Sequence, residues 1–263
     1  MPSSTPKSRQ APASVAAPPA GAAGSASPST TKPAGASITA LHPVRINPSP
    51  AARAARHIHP VLLLSLFVYG FRSLVADPVS WMWRSLPVLI AIQAVYAVVC
   101  LPVAGSQSAK AAKKTRPGEK KNSADSSGPN AILAAFLSLL LSVLVAPFFH
   151  VGMVLFGAPL LTHIPHTLYC SLHLSILTLF PLIYVHGVDS TSWVAIAGFR
   201  APFDETFGGL VGGVVGAWLG AVPIPLDWDR EWQKWPVTIL CGIYGGYILG
   251  KVVGGSLLLG KKF

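Results

Sequence analysis

"GGLVGGVVGAWLGAVPIPLDWDREWQKWPVTILCGIYGGYILGKVVGG", residues 208–255, decides the fold. Two apolar segments flank a polar stretch, and each carries glycine at every fourth position: Gly208, Gly212, Gly216 and Gly220 in the first, Gly242, Gly246, Gly250 and Gly254 in the second. Four residues are close to one helical turn, so each row falls on a single helix face and leaves it without side chains. Glycine is about 1 kcal/mol worse than alanine inside an aqueous helix, so eight in register call for a packing reason. In lipid, where apolar surface alone does not drive helices together, small residues at this spacing let backbones approach closely. Either the two segments fold on each other as a hairpin, or a groove is offered to another membrane protein.

The stretch between them, "PIPLDWDREWQKWP" at 223–236, holds three tryptophans and five charged residues. Read as a helix, Trp228, Trp232 and Trp235 recur at i, i+4, i+7 and share one stripe, with Asp229, Arg230, Gln233 and Lys234 pointing away. That predicts a short amphipathic helix on the membrane surface, anchored as interfacial tryptophans commonly are. The sharper alternative is recognition, with Pro223 and Pro225 shaping the loop, and Asp227, Trp228, Asp229, Arg230, Trp232 and Trp235 receiving a partner or a lipid ammonium group.

Working outward, 51% of the 263 residues are hydrophobic and only 11% are charged, far below the roughly one quarter of a soluble domain. The predicted fold is an all-α polytopic membrane bundle of about six helices, each near the roughly 20 residues needed to cross a bilayer. The expected spans are Pro60 to Ala76, Ser85 to Ala104, Ala131 to Phe149, Thr167 to Val185, Gly208 to Leu226 and Pro236 to Gly260. Residues 126–188 contain no Lys, Arg, Asp or Glu, which leaves room for two spans joined by "HVGMVLFGAPLLTHIPH". Pro147 is expected to interrupt the third span, making that connection re-entrant or a kinked extension.

Residues 1–59 are rich in Ala, Pro and Ser without apolar periodicity, and are expected to form a disordered tail. Residues 60–104 then hold the first two spans, 105–130 a basic loop, and 131–263 a four-helix membrane region. The tail carries Lys7, Arg9, Lys32, Arg45, Arg53 and Arg56, and the loop carries Lys110, Lys113, Lys114, Arg116, Lys120 and Lys121. Positive charge marks the cytoplasmic side, so both termini and this loop are expected there and the tryptophan stretch on the opposite face. The net charge of +11 is thus a topology signal, with no nucleic-acid-binding motif beside it.

Histidine is the one residue type that hints at metal. His163, His166 and His173 fall near one another on a helix, but Pro165 is expected to start that helix and leave His163 outside it, so no metal or cofactor is expected. Lys251, inside the last span, lies within snorkelling reach of headgroups, and anchoring is favoured over phosphate binding. Asp204 and Glu205 sit where the fifth span begins and are expected to cap it. Cys100, Cys170 and Cys241 stand singly in different spans and form no disulfide pattern.

The block at 208–258, and above all "WLGAVPIPLDWDREWQKWP", resembles the PIG-F family of glycosylphosphatidylinositol (GPI) anchor biosynthesis, as do "VLFGAPL" at 154–160 and "HTLYCSLHLSIL" from His166. The resemblance covers roughly Ala131 to Gly260. It implies a subunit of the endoplasmic reticulum membrane that partners the large ethanolamine phosphate transferases PIG-O and PIG-G, with membrane lipids such as phosphatidylethanolamine or the GPI precursor within reach. Those transferases add phosphoethanolamine to mannoses of the precursor on the lumenal side. Phosphoryl transfer needs cationic or metal clamps on the phosphate and an activated nucleophile. The segments expected on the lumenal face are short, with Asp77, Asp227, Asp229 and Glu231 as their carboxylates, so a non-catalytic accessory subunit is expected. The alternative from another class is a small transporter or lipid-handling protein, but no inverted repeat or pair of broken helices accompanies it.

Overall fold

A computed structural model of the chain describes residues 41–106, 130–226 and 228–262. Within them lie seven helices: α1 (Pro50–Ala76), α2 (Pro78–Cys100), α3 (Ala131–Leu155), α4 (Ile164–His186), α5 (Ser190–Ala197), α6 (Glu205–Ala221) and α7 (Val237–Gly255). All but the short α5 contribute segments long and apolar enough to cross a membrane. Six spans run alternately up and down, so α1 and α6 start, and α2, α4 and α7 end, at one end of the bundle. The tryptophan loop lies at the other.

Helix starts follow from local chemistry. The Ser49 side chain accepts the Ala52 N–H at 3.1 Å and Pro50 occupies the first helical position, where a missing N–H does no harm. The first helix therefore begins ten residues before the expected Pro60, and residues 50–59, assigned to the tail by composition, are its first turns. Asp77 ends α1 and caps α2, accepting from Ser80 N–H at 3.2 Å and from the Ser80 hydroxyl at 2.5 Å. Asn130 and Asp204 cap α3 and α6 in the same way. Asp189 caps α5, and the Thr191 and Ser192 hydroxyls that donate to it push its carboxyl down to about 2.

The internal prolines Pro60, Pro87, Pro147 and Pro181 do not end their helices. Pro147 lies inside α3, which continues to Leu155, so the expected interruption is replaced by a longer helix and a connection of residues 156–163. Neighbouring helices and hydroxyl side chains make such prolines tolerable in a bundle.

Helix α4 is the centre: Cys170, Ser171 and every residue from His173 to Val185 are buried, whereas much of α3 faces outward. Its hydroxyls turn to backbone oxygens, Thr178 donating to Leu174 O at 2.7 Å and Ser175 reaching across to Ser142 O of α3 at 2.6 Å. Interhelical bonds of this kind are one source of cohesion where lipid removes the hydrophobic drive. Residues 41–49 close one end of the bundle, with Asn47 N–H donating to Cys100 O at 2.8 Å and Val44 N–H to Asp204 at 3.0 Å.

Candidate functional site

Helices α6 and α7 form the most extensive helix pair, and glycine is the reason. A Cβ placed on Gly212 would lie 2.7 Å from Gly250 Cα and nearer still to the Gly246 carbonyl oxygen. One on Gly246 would lie 2.8 Å from Gly216 Cα, and one on Gly208 would lie 2.9 Å from Gly254 Cα. Gly220 and Gly242 meet the facing backbone in the same way, so all eight glycines of the two rows lie in one seam. Two further glycines turn elsewhere: Gly209 is covered by the Tyr247 ring and Gly213 by Thr178 of α4. By contrast, Gly245 points into open space.

Beyond the seam the chain does not form the expected amphipathic helix. Among the described residues of the stretch only two single turns of 3-10 helix occur, Ile224–Leu226 and Glu231–Gln233, and Asp229 takes a left-handed conformation with φ 49° that an α-helix does not allow. The left-handed turn at Asp229 and the bond from Gln233 back to Pro223 O fold the stretch on itself instead. Trp228 and Trp232 still meet, edge to face at 5.8 Å, and Trp228 is half exposed. Trp235 departs from them and donates its indole N–H to the buried Thr167 hydroxyl of α4 at 3.1 Å. Gln233 holds the loop closed by donating to Pro223 O at 2.9 Å while accepting from Arg230 N–H at 3.1 Å. Arg230 and the Glu231–Lys234 ion pair face outward, Pro225 lies within the first single turn, and Asp227 lies outside the described residues.

The three histidines do not make a ligand set. His163 precedes α4 in a left-handed conformation and packs on His166 with ring centres 5.0 Å apart. His173 is fully buried with both ring nitrogens engaged: Nε2 donates to Met82 O at 3.1 Å, so Nδ1 accepts from the Tyr244 hydroxyl at 3.0 Å. No lone pair of His173 is left for a metal, and among the described residues no group of three or more His, Cys, Asp or Glu could hold one.

At the end away from the tryptophan loop lies a cluster that reasoning from sequence missed. Lys251 is only 2% exposed; its ammonium donates to His59 Nδ1 at 2.8 Å, lies 3.8 Å from Glu205, and sits 3.5 Å over the Tyr96 ring. It does not snorkel, because its helix ends at Gly255 and α1 and α2 cover it. An ammonium can only donate, so the His59 proton is on Nε2 and goes to the Gln93 amide oxygen at 3.1 Å. Gln93 in turn donates to Leu177 O at 3.1 Å. Glu205 does more than favour a helix start: it pairs with Arg56, a residue counted among the tail's charges, and accepts the Tyr96 hydroxyl at 2.7 Å. The signal for this cluster was available, since Gln93, Glu205 and Lys251 are polar groups at the ends or interiors of apolar spans, where such groups need partners. Their common location was not.

Residues 58–255 match the model of the GPI biosynthesis protein family Pig-F. The match begins at Ile58, so it takes in most of α1 and all of α2, more than the stretch from Ala131 that carries the recognisable motifs. A Neurospora crassa protein named Glycosylphosphatidylinositol anchor biosynthesis protein 11 is 58% identical over 227 residues, covering 86% of this chain and 83% of its own. The Pyricularia oryzae protein of that name is 54% identical over 245 residues, 91% of each chain. The human protein named GPI ethanolamine phosphate transferase, stabilizing subunit, is 35% identical over 130 residues, 46% of this chain and 58% of its own. No solved structure matches. With the match spanning both the glycine seam and most of the buried cluster, and with relatives aligned over most of their length, the chain belongs to the PIG-F family of GPI biosynthesis proteins.

Proposed function

We propose that this chain is a non-catalytic subunit of the endoplasmic reticulum membrane that stabilises an ethanolamine phosphate transferase acting in GPI-anchor biosynthesis, with PIG-O-like and PIG-G-like proteins as its partners. The observation that carries this is its similarity to the human protein named as a stabilizing subunit of that transferase. The geometry is in keeping with it. His59, Gln93, Tyr96, Glu205 and Lys251 of the bundle core bond within the bundle, and the loop between α6 and α7 is internally tied.

A partner that binds only the assembled transferase raises the apparent stability of that form, so losing the partner lowers transferase abundance. Depleting this chain is therefore expected to reduce the transferase severalfold and to accumulate GPI precursors lacking terminal phosphoethanolamine, read by precursor profiling alongside transferase level. Trp228→Ala removes a half-exposed ring whose one described ring contact is with Trp232 of the same loop. It is expected to lower co-purification of the transferase at unchanged melting temperature, while Lys113→Ala in the basic loop leaves both unchanged. A transferase that is fully active and abundant without this chain would overturn the proposal, and so would phosphoethanolamine transfer by this chain alone.

In the same proposal both termini and the Lys113 loop are cytoplasmic and the Trp228 loop is lumenal. A glycosylation acceptor engineered beside Trp228 is expected to be modified and one beside Lys113 to stay bare. The reverse pattern would invert the orientation.

A further inference from the structure

At the end of the bundle away from the tryptophan loop, a cavity of about 290 Å³ opens between α1 and the last turn of α7, lined among others by Arg56, His57, Glu205, Lys251 and Ser256. Its charges do not balance internally. Arg56 and Lys251 are two cations against the single carboxylate of Glu205, both of whose oxygens are engaged, one by Arg56 and the other by the Tyr96 hydroxyl. Of the other described carboxylates at this end, Asp204 is taken up by the N–H groups of Val44, Thr206 and Phe207 and the Thr206 hydroxyl, and Asp189 by the Thr191 and Ser192 hydroxyls and the Ser192 N–H of its own cap. The positive start of α6 and the negative end of α7 meet here and offset each other. One positive charge is left over at the edge of a low-dielectric bundle, where an unpaired charge is costly.

The position and the donors specify what would neutralise it. Lys251 lies four residues before the end of α7, about 6 Å at 1.5 Å per residue, so it stands near the end of its span rather than at the middle. The Arg56 side chain is 37% exposed; Nη2 donates to Gly255 O at 3.0 Å and its ε nitrogen pairs with Glu205, leaving further N–H groups toward the cavity. A planar guanidinium backed by a buried ammonium suits a phosphate oxygen pair. Val252 and Ser256, both exposed, line the cavity where it reaches the surface of the bundle.

We propose that this cavity binds the phosphate of an anionic phospholipid headgroup, with Arg56 contacting its oxygens and Lys251 supplying the charge behind. The site lies at the opposite end of the bundle from the tryptophan loop and does not rest on the transferase assignment. The full chain, purified in detergent and stripped of lipid, would be titrated with phosphatidylglycerol, with diacylglycerol and with inorganic phosphate, reading melting temperature and bound lipid by native mass spectrometry. Phosphatidylglycerol is expected to bind and stabilise, and diacylglycerol is not. Arg56→Gln should weaken binding at least about tenfold, as loss of a charge-assisted contact does. Ser256→Leu, which narrows the mouth without altering charge, should weaken it likewise, and Arg56→Lys should restore part of it. Arg72→Gln, at the other end of α1, should match wild type. Equal stabilisation by diacylglycerol, or wild-type binding in Ser256→Leu together with any folded Arg56→Gln, overturns the site. Stabilisation by inorganic phosphate to which phosphatidylglycerol adds nothing overturns the lipid source.

Discussion

Gly246→Leu is expected to unfold the α6–α7 hairpin, whereas Gly245→Leu, one residue away in the same helix, is expected to leave it intact. Both substitutions improve helix propensity, so local preference cannot separate them. The neighbours can. A side chain at Gly246 would run into the Gly212 carbonyl and Gly216 Cα, backbone atoms that cannot rotate aside, while one at Gly245 meets nothing within 4 Å. Overpacking a tight interface costs 1–3 kcal/mol when side chains can adjust, and a wall of backbone moves the effect to about 3 kcal/mol or more. Gly212→Leu, on the opposite wall, should behave as Gly246→Leu does. Melting of the purified protein and its steady-state level in cells would read the difference. If Gly245→Leu and Gly246→Leu melt together near wild type, the seam is not what joins the two helices.

Glu205→Gln is expected to destabilise the protein by about 3–5 kcal/mol, the range for breaking one partner out of a buried ion pair. The substitution keeps the size of the side chain and its ability to accept from Tyr96, and removes only the charge facing Arg56 and Lys251. Buried Lys251 and partly exposed Arg56 then face each other without a carboxylate. Adding Lys251→Met should therefore recover part of the loss, so that the double variant is less destabilised than the sum of the single ones. Denaturation of the four proteins of this cycle in one detergent tests it. Strict additivity would mean that Lys251 and Glu205 do not sense each other across their 3.8 Å separation.

Sequence by itself determined the all-α membrane class and six spans, because bilayer thickness demands long apolar segments and composition shows them directly. It also carried the family, through a proline- and tryptophan-rich turn too particular to follow from composition. Helix ends were less legible. Ser49 and Pro50 form an N-terminal signal that the surrounding Ala- and Pro-rich composition obscured, and Pro147 is a breaker by local rule that a packed bundle accommodates. Periodicity placed Trp228, Trp232 and Trp235 on one stripe, but the sharp return from α6 to α7 gave Trp235 to Thr167 and left the other two on each other.

Only the tertiary structure decided which surfaces meet. Glycine at every fourth position marks a bare helix face, and nothing local says whether a partner protein or the chain's own next helix fills it; here each row fills the other. The same holds for Arg56, His59, Gln93, Glu205 and Lys251, which are scattered over nearly 200 residues and read one at a time as tail charge, helix cap or headgroup anchor. A polar group within an apolar span must find a partner, and that need is written in the sequence; the identity of the partner is set by which helices pack side by side, since charge compensation acts through space over a few ångströms and not along the chain.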